Sequence, residues 1–228
     1  MKLKCVCSER NGVRTVYIAI NGILTWPGDA NGWTDRFVTW MHIHAHGYVQ
    51  AEKFEYWTTA LTRNLGQAHR TDQIVWKIGF YRRMGYRVVL VGHSNGCDLI
   101  ARVLDVIGQE LDSVHLFSPA THGAIFDDAI ANGVVRKIHI YGSRKDGALR
   151  FARFTYPVFG WSGLGYGSLG LSGREFAADH PGIVSDHSND TFGHSTWFTR
   201  GSVFESTMKL LLANDAEDVG SLNSQKLP

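Results

Sequence analysis

The stretch Val88–Cys97, VVLVGHSNGC, decides how the 228-residue chain is read. Four apolar residues, two of them flanked by further β-branched neighbours, stop at Gly92. They are followed by His93, Ser94, Asn95 and Gly96, and then by Cys97, Ile100, Ala101 and Leu104 at i, i+3, i+4 and i+7. A wholly apolar run suits a strand covered on both faces, and the spacing that follows suits an amphipathic helix. Gly92-His93-Ser94-Asn95-Gly96 is a G-x-S-x-G pentapeptide, and here it falls between a strand and a helix. In that setting the serine occupies a strained turn with its hydroxyl above the sheet. A plain turn with Ser94 as helix cap would look the same over five residues, so the decision rests on the rest of the chain.

Working outward, Val13–Ile20 is a β-branched apolar strand ending at Asn21-Gly22, and Thr34–His44 carries Phe37, Trp40 and Met41 at helical spacing. Gly47–Trp57 reads as a second strand, Asp72–Met84 as a helix, Arg87–Val91 as a strand and Ser94–Gly108 as a helix. Ser113–Phe117 is a short strand, Ala124–Ala131 a short helix, Val134–Tyr141 a strand and Val203–Ala213 a last helix. Apolar strands alternating with helices predict an α/β domain with a mostly parallel sheet and helices on both faces. One domain is expected over residues 1–228, with a core at about 13–213 and a polar, fraying tail at 214–228. No internal repeat interrupts this order.

Composition excludes several classes. A formal net charge of +2 and the absence of a long basic run argue against nucleic acid as a partner. No stretch is long and apolar enough for a membrane span, and the opening MKLKCVCSER lacks the apolar segment of a secretory signal. Cys5, Cys7 and Cys97 make an odd count that suits free thiols in a reducing compartment, hence a cytoplasmic location. Cys5-Val-Cys7 lacks a second pair to complete a zinc set. His42, His44 and His46 recur at period two, but no H-E-x-x-H pattern accompanies them, and a surface helix end is the simpler reading.

A serine hydroxyl needs a base, and the base needs an orienting carboxylate. On a strand–turn–helix sheet of this kind they follow in the order serine, acid, histidine. Asp146 stands just beyond the strand Val134–Tyr141, at the carboxyl end where parallel sheets gather their ligand-handling groups. An ordinary turn before Gly147 would also favour an aspartate. For the base, His194 in Phe192–Trp197 lies last before the final helix. His187, between Asp186 and Asp190, is the rival, and His180 before Pro181 is a third candidate. The N–H of Asn95, next to the serine, and the N–H of Ile23, in the Asn21-Gly22-Ile23 loop, are the candidate donors to a developing oxyanion.

Together, "NGI" after the first strand, "GHSNG", "YGSRKDGAL" and "GHSTWF" resemble the α/β-hydrolase family over roughly Val13–Leu212. The resemblance implies an eight-strand-type core, open to trimming, and serine esterase or lipase-like chemistry without a cofactor or metal. The family often has His-Gly in the first loop; this chain has Asn21-Gly22. The substrate expected is a small acyl ester, with thioester or amide hydrolysis, acyl transfer, or a non-catalytic binding role on the same scaffold as alternatives. The segment Gly160–Gly173, with Trp161, Leu164, Tyr166, Leu169 and Leu171 among glycines and serines, reads either as an apolar flap or as a surface loop. Trp26, Trp33 and Trp57 read as lining the same mouth or as core.

Overall fold

A computed structural model describes residues 14–23, 32–45, 49–59, 62, 64–151, 167, 169–199 and 201–224. Cys5, Cys7, Trp26, His46 and most of the Gly160–Gly173 segment lie outside the described residues. In chain order the elements are β1 (Arg14–Ile20), α1 (Trp33–His44), β2 (Val49–Phe54), α2 (Gln67–Arg83), β3 (Tyr86–His93) and α3 (Asn95–Val106). They continue with β4 (Leu111–Phe117), a 3-10 turn (Gly123–Phe126) running into α4 (Asp127–Ala131), and β5 (Val135–Tyr141). Helical residues 147–151 form α5. After it come α6 (Leu169–Asp179), β6 (Val184–Asp186) and α7 (Ser202–Ser224).

Among the described residues the strands form one six-stranded sheet in the order β2-β1-β3-β4-β5-β6, parallel throughout. Period-two alternation divides each central strand between two apolar cores. On one face Val16, Ile18 and Ile20 of β1, and Val88 and Leu90 of β3, pack with Ile74 and Ile78 of α2, with Leu99, Ile100, Val103 and Leu104 of α3, and with Phe176 of α6. On the other face Tyr17, Ala19, Val89 and Val91 meet Phe37 and Met41 of α1 and Phe204, Met208 and Leu211 of α7. Both sides of the strands are therefore buried, which explains why they read as continuous apolar runs. Each fully buried side chain of this size contributes about 1.5–3 kcal/mol.

Register sets up the site. Ile20 of β1 pairs with Gly92 of β3, His93 with Phe117 of β4, and Phe117 with Tyr141 of β5. The carboxyl ends of the four central strands are thus flush, and the residues that follow them leave the sheet in one row. The chain turns from β1 outward to β2 and then returns to β3 on β1's other side. That makes the gap between β1 and β3 a topological switch point, where open parallel sheets place their ligands.

Two expectations are corrected here. Helix α7 does not end near Ala213: it runs through Ser224, so residues 214–224, expected to fray, are helical. The cause is a buried cluster beneath its second half. Asp215 takes Arg87 in a bidentate pair (2.5 and 2.8 Å), Tyr17 Oη at 2.6 Å and Ser113 Oγ at 2.7 Å. Helix α2 starts at Gln67 rather than Asp72, where the Gln67 side chain is buried and reaches Asp98 at 3.3 Å.

Candidate active site

Ser94 sits between the last residue of β3 and the first of α3 with φ 55° and ψ −119°. A non-glycine residue in that region is strained by about 1–3 kcal/mol and persists only where its surroundings hold it. The holding contacts are its N–H to Phe117 O (2.9 Å) and its carbonyl, which accepts from Cys97 N (3.1 Å) and Ala120 N (3.2 Å). The flanking glycines make the turn sterically feasible. A Cβ at Gly96 would lie 2.5 Å from Ile20 O, and one at Gly92 would lie 2.7 Å from Ile100 Cδ1. The helix thus approaches the ends of β1 and β3 more closely than any side chain would allow.

Gly22 faces Ser94 across the switch point, its Cβ position 3.1 Å from Ser94 Cβ and 3.6 Å from Ser94 Oγ. The loop that carries Gly22 and Ile23 is held by Asn21. Its side chain donates to Tyr56 O (3.1 Å) and accepts from Tyr56 N (3.3 Å). Tyr56 Oη in turn accepts from Asn95 Nδ2 at 3.1 Å. Tyr56 is buried, which raises its phenol's pKa and keeps it protonated. One residue therefore ties the loop before Ile23 to the first residue of α3. Asn21 itself supplies this support.

Asp146 is completely buried beyond β5. Its Oδ1 accepts from Leu149 N (3.0 Å), capping α5, and its Oδ2 lies 2.8 Å from His194 Nδ1. An ionised carboxylate only accepts, so His194 Nδ1 carries the hydrogen and Nε2 is left as an acceptor. The side chain of His194 is 22% exposed, so its ring is reachable from solvent. Its backbone carbonyl accepts from His93 Nε2 (3.1 Å) and Ser118 Oγ (2.8 Å). None of the hydrogen bonds among the described residues joins Ser94 Oγ to His194. Such contacts are often long in unliganded sites and tighten with substrate.

The other candidate histidines are engaged elsewhere. His187 Nε2 is 3.1 Å from both His139 Nδ1 and Asn214 Nδ2, and burial, with the neighbouring His139, lowers it to about 4. His180 pairs with Asp127 at 3.2 Å. His42 and His44 are exposed in the last turn of α1. Among the described residues no group of three or more His, Cys, Asp or Glu is placed to hold a metal ion. Trp33 is core: it stacks on Phe198 with ring centroids 4.2 Å apart and meets His93 edge-on at 6.1 Å. Trp57, beside Tyr56, is 45% exposed. Tyr56, His93 and Ser118 were not singled out from sequence.

No protein-family model and no curated protein matches this chain. Solved structures do match it. One comes from work on LipS and LipT, two metagenome-derived lipolytic enzymes, with a TM-score of 0.59 at 13% identity over 90% of this chain and 95% of that one. A CIB-like hydrolase from Thermoplasma acidophilum superposes with a TM-score of 0.53 at 13% identity, covering 87% of this chain and 86% of its own. Est1E from Butyrivibrio proteoclasticus gives 0.53 at 10% identity, covering 91% and 90%. The switch-point sheet with a strained strand-to-helix serine is an open, doubly covered α/β architecture. More narrowly, it is the α/β-hydrolase fold.

Proposed function

We propose that this chain is a serine hydrolase that cleaves a carboxylic ester through an acyl-enzyme. The observation that carries the reading is the pair of the buried Asp146 and the partly exposed His194, on the same edge of the sheet as a strained serine at its switch point. Ser94 Oγ attacks the ester carbonyl carbon while its proton passes to His194 Nε2. The carbonyl oxygen becomes an oxyanion held by the N–H groups of Ile23 and Asn95. Collapse breaks the bond to the alcohol oxygen, which leaves with the proton from His194. Water then attacks the acyl-enzyme, again through His194, and releases the acid and Ser94. Asp146 keeps the tautomer and supports the imidazolium.

The lipolytic and esterase activities named for structures of the same fold support the ester bond as substrate. No described helix is long and apolar enough to cross a membrane.

The test is covalent labelling with a fluorophosphonate, located by mass spectrometry, beside turnover of a short p-nitrophenyl ester by Ser94→Ala. Label on Ser94 and a loss of at least about 10³-fold in turnover are expected. A folded parent that leaves Ser94 unlabelled, or an alanine variant that keeps its activity, would refute the assignment.

A further inference from the structure

We propose that His93 and Ser118 are positioning residues that fix where His194 stands relative to Ser94. The inference rests on the roles given above to Ser94, His194 and Asp146. Asp146 holds the imidazole by one nitrogen only, and a ring held at Nδ1 alone follows any shift of its loop. The backbone of that loop is held at the His194 carbonyl, by His93 Nε2 at 3.1 Å and Ser118 Oγ at 2.8 Å.

Both donors come from the rigid part of the fold. His93 is the last residue of β3 and is bonded covalently to Ser94; Ser118 directly follows the last residue of β4. These strands are paired in register at His93 and Phe117. The base is thus gauged against the nucleophile through a single peptide unit, and braced from the neighbouring strand. Ser118 adopts φ 43°, a second strained non-glycine residue. Its N–H is fixed to Tyr141 O at 2.9 Å, and the resulting turn delivers its hydroxyl to His194 O.

The chemistry of His93 suits this task. A carbonyl only accepts, so Nε2 bears the hydrogen. The ring is packed edge-on between Trp33 and Phe198, at 6.1 and 5.4 Å. Burial, then the adjacent His194, lowers its pKa to about 3. It therefore remains neutral, a fixed donor rather than a second base. Its ring centroid lies only 5.0 Å from that of His194. A cation there would oppose the imidazolium that His194 must become, and a neutral donor does not.

The experiment uses the full chain and four variants: His93→Phe, His93→Gln, Ser118→Ala, and His93→Phe with Ser118→Ala. Each is melted first and assayed well below its own Tm. Steady-state hydrolysis of a short p-nitrophenyl ester and the rate of fluorophosphonate labelling at Ser94 are both read. Small misplacements of a reacting group cost up to about 100-fold, so each loss of a donor is expected to lower kcat and the labelling rate by roughly 10-fold, and the pair by more. KM should stay within about twofold. In His93→Gln an amide N–H replaces Nε2–H, and most of the rate should return. Folded Phe and Ala variants that label and turn over within about twofold of the parent would overturn the proposal, as would a Gln variant as slow as the Phe variant. A parent that labels alongside indifferent variants sinks the positioning role alone. A parent that does not label sinks the underlying reading, and this inference with it.

Discussion

Two of the histidine–carboxylate groups among the described residues differ in what they leave free. At the carboxyl end of the sheet, His194 gives one nitrogen to Asp146, keeps the other as an acceptor and is partly open to solvent. Beneath α7, the rings of His115, His139 and His187 stack across β4, β5 and the end of β6 at 4.6 and 5.3 Å. There His115 Nδ1 meets Tyr141 Oη (3.0 Å), His139 Nε2 meets Asp218 (2.8 Å), and His187 Nε2 meets His139 and Asn214. The residue types are alike, yet in the second group His139 and His187 turn nitrogens to Asp218 and Asn214 of α7 and so lock that helix to the sheet. Nearness of histidine to aspartate therefore does not define a site. What sets His194 apart is a solvent-reachable ring in a loop whose backbone is bonded to the residue before the strained Ser94.

The largest effect expected from this contrast is on catalysis. His194→Ala should lower kcat/KM for a short ester by about 10³-fold or more, because the base and its alignment vanish together. His187→Ala should leave kcat/KM within a few-fold and lower the melting temperature instead, since it removes a packed ring and one of the two hydrogen bonds of Asn214 Nδ2, leaving the one to Tyr141 Oη. Steady-state kinetics beside thermal melts of both variants checks this. The reverse pattern would exchange the two regions' roles.

Next in size is the acid sensitivity of the fold, which the buried stack should carry together with His93. Burial, then the neighbouring His139, lowers His115 to about 4; His187 also falls to about 4. A free histidine titrates near 6.5. Between these values the unfolded chain binds protons that the folded chain does not, so stability rises with pH across this window. It is fully present above about 6.5 and is lost as pH falls towards 4. From pH 7 to pH 5, His115 and His93 should each remove about 2 kcal/mol, and His187, which is more open to water, should remove less. Asp215 does not contribute in this window. Its carboxyl is held well below the usual range by His115 and Arg87 against the opposing effect of burial, so its share is lost only under stronger acid. Melting curves at pH 7 and pH 5 should differ by about 10 °C. An unchanged or higher melting temperature at pH 5 would contradict this account.

The same contrast explains what the sequence reveals. Elements with a strong local pattern are legible: the apolar runs of β1 and β3, the amphipathic α3, and the Ser94 pentapeptide between them. That Asp146 and His194 stand together (2.8 Å) is foreshadowed by their order in the sequence, because a parallel sheet brings strand ends together. The stack and the bracing residues are not. Asp215 stabilises α7 through Arg87, 128 residues away, and a local window sees only a polar stretch. The donors to the His194 carbonyl are 101 and 76 residues distant. The three-residue strand β6 exists through its pairing with β5 and has no length of its own to detect. In α6, glycines at 170 and 173 dilute the helical spacing, so Leu169–Gly173 reads as part of a loop.

Tyr56 tests where the border between the two regions falls. It stands at the candidate site, but its bonds resemble those of the stack: they join elements, and none of them reaches Ser94 or His194. Tyr56→Phe removes one hydroxyl and leaves the Asn21 contacts, which use the backbone of residue 56, in place. Asn95 Nδ2 would lose its partner at a position where Asn95 Oδ1 already has none, and Asn95 is buried. An unsatisfied buried amide of this kind costs about 1–3 kcal/mol. The expected outcome is a fall of a few degrees in melting temperature. Turnover should drop by no more than about tenfold, through slackening of the first turn of α3 and the Asn95 N–H it carries. Melting and ester kinetics on the one variant separate these effects. A loss as large as that of His194→Ala would move Tyr56 into the group that touches the reacting atoms, and the border would have to be redrawn around it.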